Sequence, residues 1–237
     1  MLFSGHSGLL QFSLLTWDHC VSTLRFRYQT LEVGDRDIHL RTLRDRQQYL
    51  DSDDISRNLG ISPASWPLFG VVWESSRVLA ELMSDFDIAG KRILEIGCGI
   101  GLPSLVLNQR LADVTATDQH PDVESFLREN TRINQSRTIP FIRTGWADEV
   151  TDLGLFDLLL GSDILYEQNH PELVAEFIDQ HAHPCCEVIV VDPGRRQHAR
   201  FRRRMVGLGF RHDQTQPLNT LCPGKQFKGR VMHFRRS

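Results

Sequence analysis

An α/β fold, with a mostly parallel sheet covered by helices on both faces, follows from three observations on this 237-residue chain. From Arg92 onward, apolar strand-like runs alternate with amphipathic helical runs, the pattern of parallel strands joined by crossover helices. The run Ile93-Leu94-Glu95-Ile96-Gly97-Cys98-Gly99-Ile100-Gly101 reads as a buried strand entering a tight turn and then a helix. Ahead of that region, two alternating segments around a turn predict an N-terminal β-hairpin extension.

Taken in order, residues 1–24 show no strong period and read as a loose extension. Phe26 to Val33 alternates, Gly34-Asp35-Arg36-Asp37 supplies turn chemistry, and Ile38 to Leu43 alternates again. Asp51 to Ser65 is polar and loop-like. Trp73 to Met83 predicts an amphipathic helix whose apolar side is Val78, Leu79, Leu82 and Met83. Strands are expected near 92–97, 113–118, 140–144, 156–161 and 187–192, with helices near 102–111, 121–135, 170–181 and 195–207. Phe210 to Thr215 and Arg230 to Arg235 add two strands, bringing the sheet to seven. Gln216 to Phe227, with Pro217, Pro223 and Gly224, reads as a loop between them. The organisation is therefore an extension with hairpin over residues 1–65 and one α/β domain over 66–237.

Composition sets outer bounds. Hydrophobic residues at 41% and charged residues at 24% are ordinary for a globular domain. No apolar run approaches the roughly 20 residues of a membrane helix, so no membrane association is expected. Met1 to Leu15 lacks a basic start and a clear cleavage site, and is not read as a signal peptide. The five cysteines lack metal-site spacing, which fits reduced thiols in the cytoplasm. The scattered histidines show no zinc-helix spacing, and no metal is expected. Net charge is −3, but from Arg195 to the end 12 Lys/Arg face a single acid, Asp213. Such a basic end is either a solvated helix face or an attractor of acidic protein. No RNA-module signature accompanies it, and nucleic acid is not expected as a partner.

The glycine turn carries chemistry. Glycines let the backbone take positive φ and admit a ligand close to the main chain. The dinucleotide fingerprint requires G-x-G-x-x-G. Here the third glycine, Gly101, comes one residue early, which weakens a nicotinamide reading. Asp118, 23 positions after Glu95, would end the second strand, where an acid suits ribose hydroxyls. The same segment, Asp118 to Asp122, also has turn and capping character. After the strand Leu158 to Leu160 the chain releases into Ser162, Asp163 and Tyr166, beyond a strand's carboxyl end, where open parallel sheets bind ligands. A carboxylate and a phenol there could fix an amine's lone pair, or could simply cap a turn and pack.

Motif by motif, the chain resembles a known group. The G-x-G-x-G turn with an acid two residues ahead resembles motif I of the class I S-adenosylmethionine (SAM) methyltransferases. Together with Gly70-Val71-Val72-Trp73-Glu74-Ser75-Ser76 and Asp163-Ile164-Leu165-Tyr166, it resembles the seven-β-strand protein-lysine methyltransferases that act on chaperones and on electron-transfer flavoprotein β subunit. The likeness covers residues 66–210. Asp192-Pro193-Gly194-Arg195 resembles the flavoprotein-directed branch more than the chaperone-directed one. The resemblance implies a Rossmann-like fold, SAM as methyl donor with S-adenosylhomocysteine as product, and a protein substrate. By the same resemblance, Trp73, Glu95, Gly97, Gly99, Gly101, Asp118, Trp146 and Ser162 form the cofactor set. Glu95 would serve the amino end, Asp118 the ribose, Trp146 the adenine and Trp73 the methyl site. Asp163 and Tyr166 would be catalytic, orienting the acceptor amine. A monomer is expected, with an acidic substrate suggested by the basic end. Two alternatives stay open: a small-molecule N-methyltransferase, and a SAM-binding partner module without catalysis.

Overall fold

The computed structural model describes residues 25–45, 66–148, 151–215 and 227–237. The expected extension 1–24, the polar stretch 51–65 and the loop at 216–226 lie outside the described residues.

A two-stranded antiparallel hairpin comes first, β1 (Phe26–Val33) and β2 (Arg36–Leu43), with Val33 opposite Arg36. The two residues between them start with Gly34 at φ +60°, the backbone that a tight hairpin turn needs. A 3-10 turn (Trp66–Gly70) leads into α1 (Glu74–Asp85). Then come β3 (Arg92–Ile96), α2 (Leu102–Gln109), β4 (Asp113–Asp118), α3 (Val123–Ile133), β5 (Phe141–Arg143) and β6 (Phe156–Ser162). The chain continues through α4 (His170–His181), β7 (Ala182–Asp192), α5 (His198–Gly207), β8 (Arg211–Thr215) and β9 (Arg230–Arg236).

The main sheet has seven strands in the order β5-β4-β3-β6-β7-β9-β8. The first five run parallel, and β9 enters antiparallel between β7 and β8. Order reverses at β3, whose neighbours are β4 and β6; the crevice beyond that point is where such sheets bind ligands. Strand alternation divides the core in two. Ile93, Leu158, Leu160, Ile189 and Val191 face one layer, with α1, α2, α3 and the hairpin. Leu94, Ile96, Leu159, Val188 and Val190 face the other, with α4 and α5. On α3 the buried Val123, Phe126, Leu127, Asn130 and Thr131 recur at three- and four-residue steps, one helical face.

Two boundaries differ from the sequence reading. β7 starts at Ala182 rather than 187, because Ala182 already pairs with Phe156 ahead of a register shift. The segment expected to link helix and strand is thus the start of the strand itself. α5 starts at His198 rather than 195. The Asp192 carboxylate accepts the Gly194 and Arg195 N–H groups at 2.8 Å each, and Gly194 takes φ +101°. Asp192 thus closes a side-chain turn ahead of the helix, whose regular turns follow only from His198.

Candidate active site

The site lies at the carboxyl ends of β3, β4, β6 and β7. A cleft open to solvent is lined on one side by Gly97, Cys98, Gly99, Asp118, His120 and Trp146. Its other walls include Phe69, Trp73 and Ser76, and Ser162, Asp163, Tyr166 and Arg195. Eight of the ten residues singled out in the sequence therefore converge here: Trp73, Gly97, Gly99, Asp118, Trp146, Ser162, Asp163 and Tyr166. Glu95 and Gly101 do not line it.

β3 is built to deliver the turn. Ile93, Leu94 and Ile96 are almost fully buried, so the strand is fixed on both faces and the backbone leaves it at Gly97. Gly97 and Gly99 both have positive φ, +62° and +53°. A Cβ on Gly97 would sit 3.0 Å from Ile164 Cγ2 and 3.4 Å from Trp146, and one on Gly99 would sit 3.0 Å from the Phe69 carbonyl oxygen. The turn thus leaves no room for side chains against Ile164, Trp146 and Phe69, and its bare main chain lines the cleft. Asp118, at the end of β4, braces it. One carboxylate oxygen accepts the Gly99 N–H at 3.0 Å and the other accepts the His120 N–H at 2.9 Å. Burial raises the Asp118 pKa, and these backbone bonds partly offset the rise.

Glu95 works behind the turn. Its carboxylate accepts the Ser104 N–H at 2.9 Å and also a short bond from the Ser104 hydroxyl. It therefore anchors the first turn of α2, where unpaired N–H groups and the helix dipole favour an anion. Burial pushes its carboxyl up to about 7, against the pull of the two Ser104 bonds. Gly101 has φ +76°, and a Cβ there would run into Leu127 Cδ1 on α3. Its glycine is required by helix packing.

Across the cleft, β6 ends because Asp163 takes φ +55°, a left-handed conformation that aspartate tolerates better than most residues. Its N–H still reaches the Val191 carbonyl at 2.9 Å, which holds the kinked segment against β7. Tyr166 packs edge-on to His170, with ring centroids 4.4 Å apart, and Trp146 packs edge-on to the same ring at 4.7 Å. His170 Nδ1 lies 2.9 Å from the Ile164 carbonyl, so that nitrogen carries the proton. Burial lowers its pKa, which keeps the ring neutral near pH 7. His170 is thus a post between two site aromatics, a role its isolated place in the sequence does not signal. The Tyr166 phenol is raised, first by burial and then by Asp118, Glu167 and Asp163, so it stays neutral. Trp73 donates its indole N–H to the Leu68 carbonyl at 2.9 Å, which fixes the ring at the entrance to α1.

The main surprise is Arg195. Its Nε and Nη2 donate to the two oxygens of Asp163 at 2.5 and 3.0 Å, a fork-on-carboxylate pair. The partners are 32 residues apart, and only the turn after β7 brings them together. Elsewhere in the basic end, Arg200 pairs with Glu172 at 2.5 Å and Arg204 with Glu176 at 3.0 Å. The α4–α5 contact thereby neutralises part of the positive charge that the sequence displays.

A sequence profile described as lysine methyltransferase matches residues 67–205. Protein N-lysine methyltransferase METTL21A of Danio rerio is 35% identical over 122 residues, 46% of this chain and 55% of that protein. The electron transfer flavoprotein beta subunit lysine methyltransferase of the same species is 24% identical over 202 residues, 75% of each chain. The chain spans about half the length of several curated relatives that it matches. Among solved structures, the Thermus thermophilus 16S rRNA N2 G1207 methyltransferase, in complex with AdoMet and guanosine, superposes with a TM-score of 0.62 at 14% identity. That likeness covers 91% of this chain and 51% of that one, and it concerns the fold. With the profile running from the 3-10 turn through α5 and so across every wall of the cleft, the chain belongs to the lysine methyltransferase family.

Proposed function

We propose that this protein is a SAM-dependent methyltransferase acting on a lysine side chain of a protein, preferentially an acidic one. The observation that carries the reading is the single cleft in which a glycine cradle braced by Asp118 faces the Asp163–Tyr166 pair. Relatives named as protein lysine methyltransferases support the acceptor class, and the basic surface of α5 supports acidic partners. The free thiols of Cys98, Cys185 and Cys186 support a reducing, cytoplasmic setting.

SAM, when bound, supplies an activated methyl group on a sulfonium; the N–C bond forms as the C–S bond breaks, and its electron pair stays on sulfur. The chain's own part is placement. Gly97 and Gly99 let the main chain lie under the ligand. Asp118 offers its remaining lone pairs to ribose hydroxyls, and Trp146 stands beside the turn as a flat apolar wall. Trp73 presents an aromatic face near the methyl end, where a cationic centre is attracted to π density. Asp163 and the neutral Tyr166 phenol accept N–H bonds from the incoming amine and aim its lone pair. The lysine arrives as an ammonium and loses one proton to solvent through the cleft before attack, and the methylated product leaves as an ammonium.

Asp163→Asn is the sharpest test, since Asn keeps the left-handed backbone and the shape while removing the charge. The protein is incubated with radiolabelled SAM and a soluble cell extract, which is then split into protein and small-molecule fractions. Label on discrete protein bands as methyl-lysine is expected, falling by about 100-fold or more in the variant, while SAM affinity changes little. Equal loss of turnover and SAM affinity would contradict the assigned role of Asp163. Label confined to small molecules would move the acceptor to a metabolite.

A further inference from the structure

The Arg195–Asp163 pair poses a problem that the proposed function must solve. The Asp163 side chain is only 8% exposed, and both its oxygens hold the guanidinium. Arg195 thus occupies the two-point face of that carboxylate, and an acceptor amine can take that face only if Arg195 moves. Arg195 is free to move in one respect: its side chain is 38% exposed, and its Cζ lies 6.0 Å from the Tyr166 ring centroid at the rim of the cleft. Its backbone, by contrast, is pinned by Asp192 through the turn after β7. The structure therefore shows a pinned backbone carrying a partly exposed guanidinium.

Removing the cation from a nearly buried ion pair strands its carboxylate and is strongly destabilising. Arg195 can leave Asp163 only as another positive group arrives, and a lysine ammonium is such a group. The expelled guanidinium then needs an anion in its turn. One other carboxylate oxygen stands close by, Asp192 Oδ2, which is buried and makes no hydrogen bond among the described residues. Asp192 already holds the local backbone, so it keeps the freed guanidinium in the neighbourhood without reproducing the two-point pair. A carboxylate on the substrate, next to its lysine, completes the exchange. Arg195–Asp163 and Lys–Glu become Lys–Asp163 and Arg195–Glu, with no charge left uncompensated.

We propose that Arg195 is a specificity-determining residue that guards Asp163 and selects lysines flanked by Asp or Glu. The proposal rests on the protein-lysine reading above. It makes the acidic preference local, within reach of one guanidinium. Arg196, Arg202 and Arg203, exposed on the same side of the sequence but outside the cleft, contribute only a diffuse field.

The test uses the full chain, radiolabelled SAM and an oriented peptide library with one central lysine and randomised flanks. Labelled peptides are sequenced by mass spectrometry for the wild type, Arg195→Gln, Arg195→Lys and Arg195→Glu. A rise in melting temperature on adding SAM identifies each variant as folded. The expected wild-type result is enrichment of Asp or Glu by about fivefold at one or two positions near the lysine, the size of one added ion pair. Arg195→Gln should abolish that enrichment while gaining on neutral peptides, Arg195→Lys should keep a weaker form of it, and Arg195→Glu should turn it toward Lys/Arg. Acidic enrichment that persists in Arg195→Gln overturns the proposal, as does a uniform fall across the library, which would make Arg195 a positioning residue only. Label on peptides with no acidic preference in the wild type sinks this inference and leaves the lysine reading standing. No label on any peptide, with SAM still raising the melting temperature, sinks the lysine reading and this inference with it.

Discussion

Glu95 shows how one residue can work against stability while shaping a site. It is 1% exposed, and its carboxyl is held up at about 7 by burial. In the unfolded chain that carboxyl ionises near 4.5. Between those two values the folded state retains a proton that the unfolded state has lost, so stability falls as pH rises through the window. The total loss is about 3 kcal/mol. Glu95→Gln keeps an oxygen to accept both Ser104 bonds and has no charge to desolvate. Urea unfolding of both proteins from pH 4 to pH 8 should therefore show the wild type losing ground to the variant as pH rises, with the gap levelling above pH 7. Parallel curves would mean that the buried carboxylate is compensated by something other than Ser104.

Among the elements, α3 ties the hairpin to the glycine turn. Asn130 accepts the Arg41 N–H of β2 at 2.7 Å and donates to the Ile100 carbonyl at 3.1 Å. One turn further on, Asn134 accepts the His39 N–H at 2.9 Å and donates to the His39 carbonyl at 2.6 Å. Two asparagines at a four-residue step thus pair with the edge of β2 as a neighbouring strand would. Asn130 is wholly buried, whereas its counterpart's bonds to β2 lie near solvent. Removing Asn130 strands the Ile100 carbonyl of a buried bond and the partly buried Arg41 N–H, so Asn130→Ala should lower the unfolding free energy by about 2–4 kcal/mol, against about 1 kcal/mol for Asn134→Ala. Equal effects in chemical denaturation would place the Asn130 bonds in reach of water. These contacts also mark the limit of sequence reading. The β3 turn and the β6 exit were legible because apolar runs, alternating glycines and strand-end acids follow one another locally. The β2–α3 bonds join residues 89 and 95 positions apart and the Arg195–Asp163 pair spans 32, distances at which no periodicity speaks. The early start of β7 was hidden because Pro184 and two cysteines carry no strand alternation. Glu95 and Gly101 were legible as residues but not in their setting: one braces a helix and the other clears space for Leu127.

At the scale of the whole molecule, the hairpin decides whether residues 66–237 form a self-sufficient unit. Val33, Ile38, Leu40 and Leu43 are 0–4% exposed and belong to the same core cluster as Val78, Leu105 and Phe126. Full burial of such side chains contributes about 1.5–3 kcal/mol each. Their sum is comparable with the roughly 5–15 kcal/mol that holds a typical domain folded. The hairpin also covers the outer side of α3, where Arg41 stacks over the Phe26 and Phe126 rings at 4.6 Å. A chain beginning at residue 46 would expose that apolar layer and free the Asn130 side chain that bonds the glycine turn. It should unfold with a lower midpoint and a broader transition in urea, bind a hydrophobic dye, and lose SAM affinity although no cleft residue has been removed. A truncated protein with a sharp transition and unchanged SAM affinity would instead make the hairpin an appendage, with its contribution confined to docking the acceptor protein.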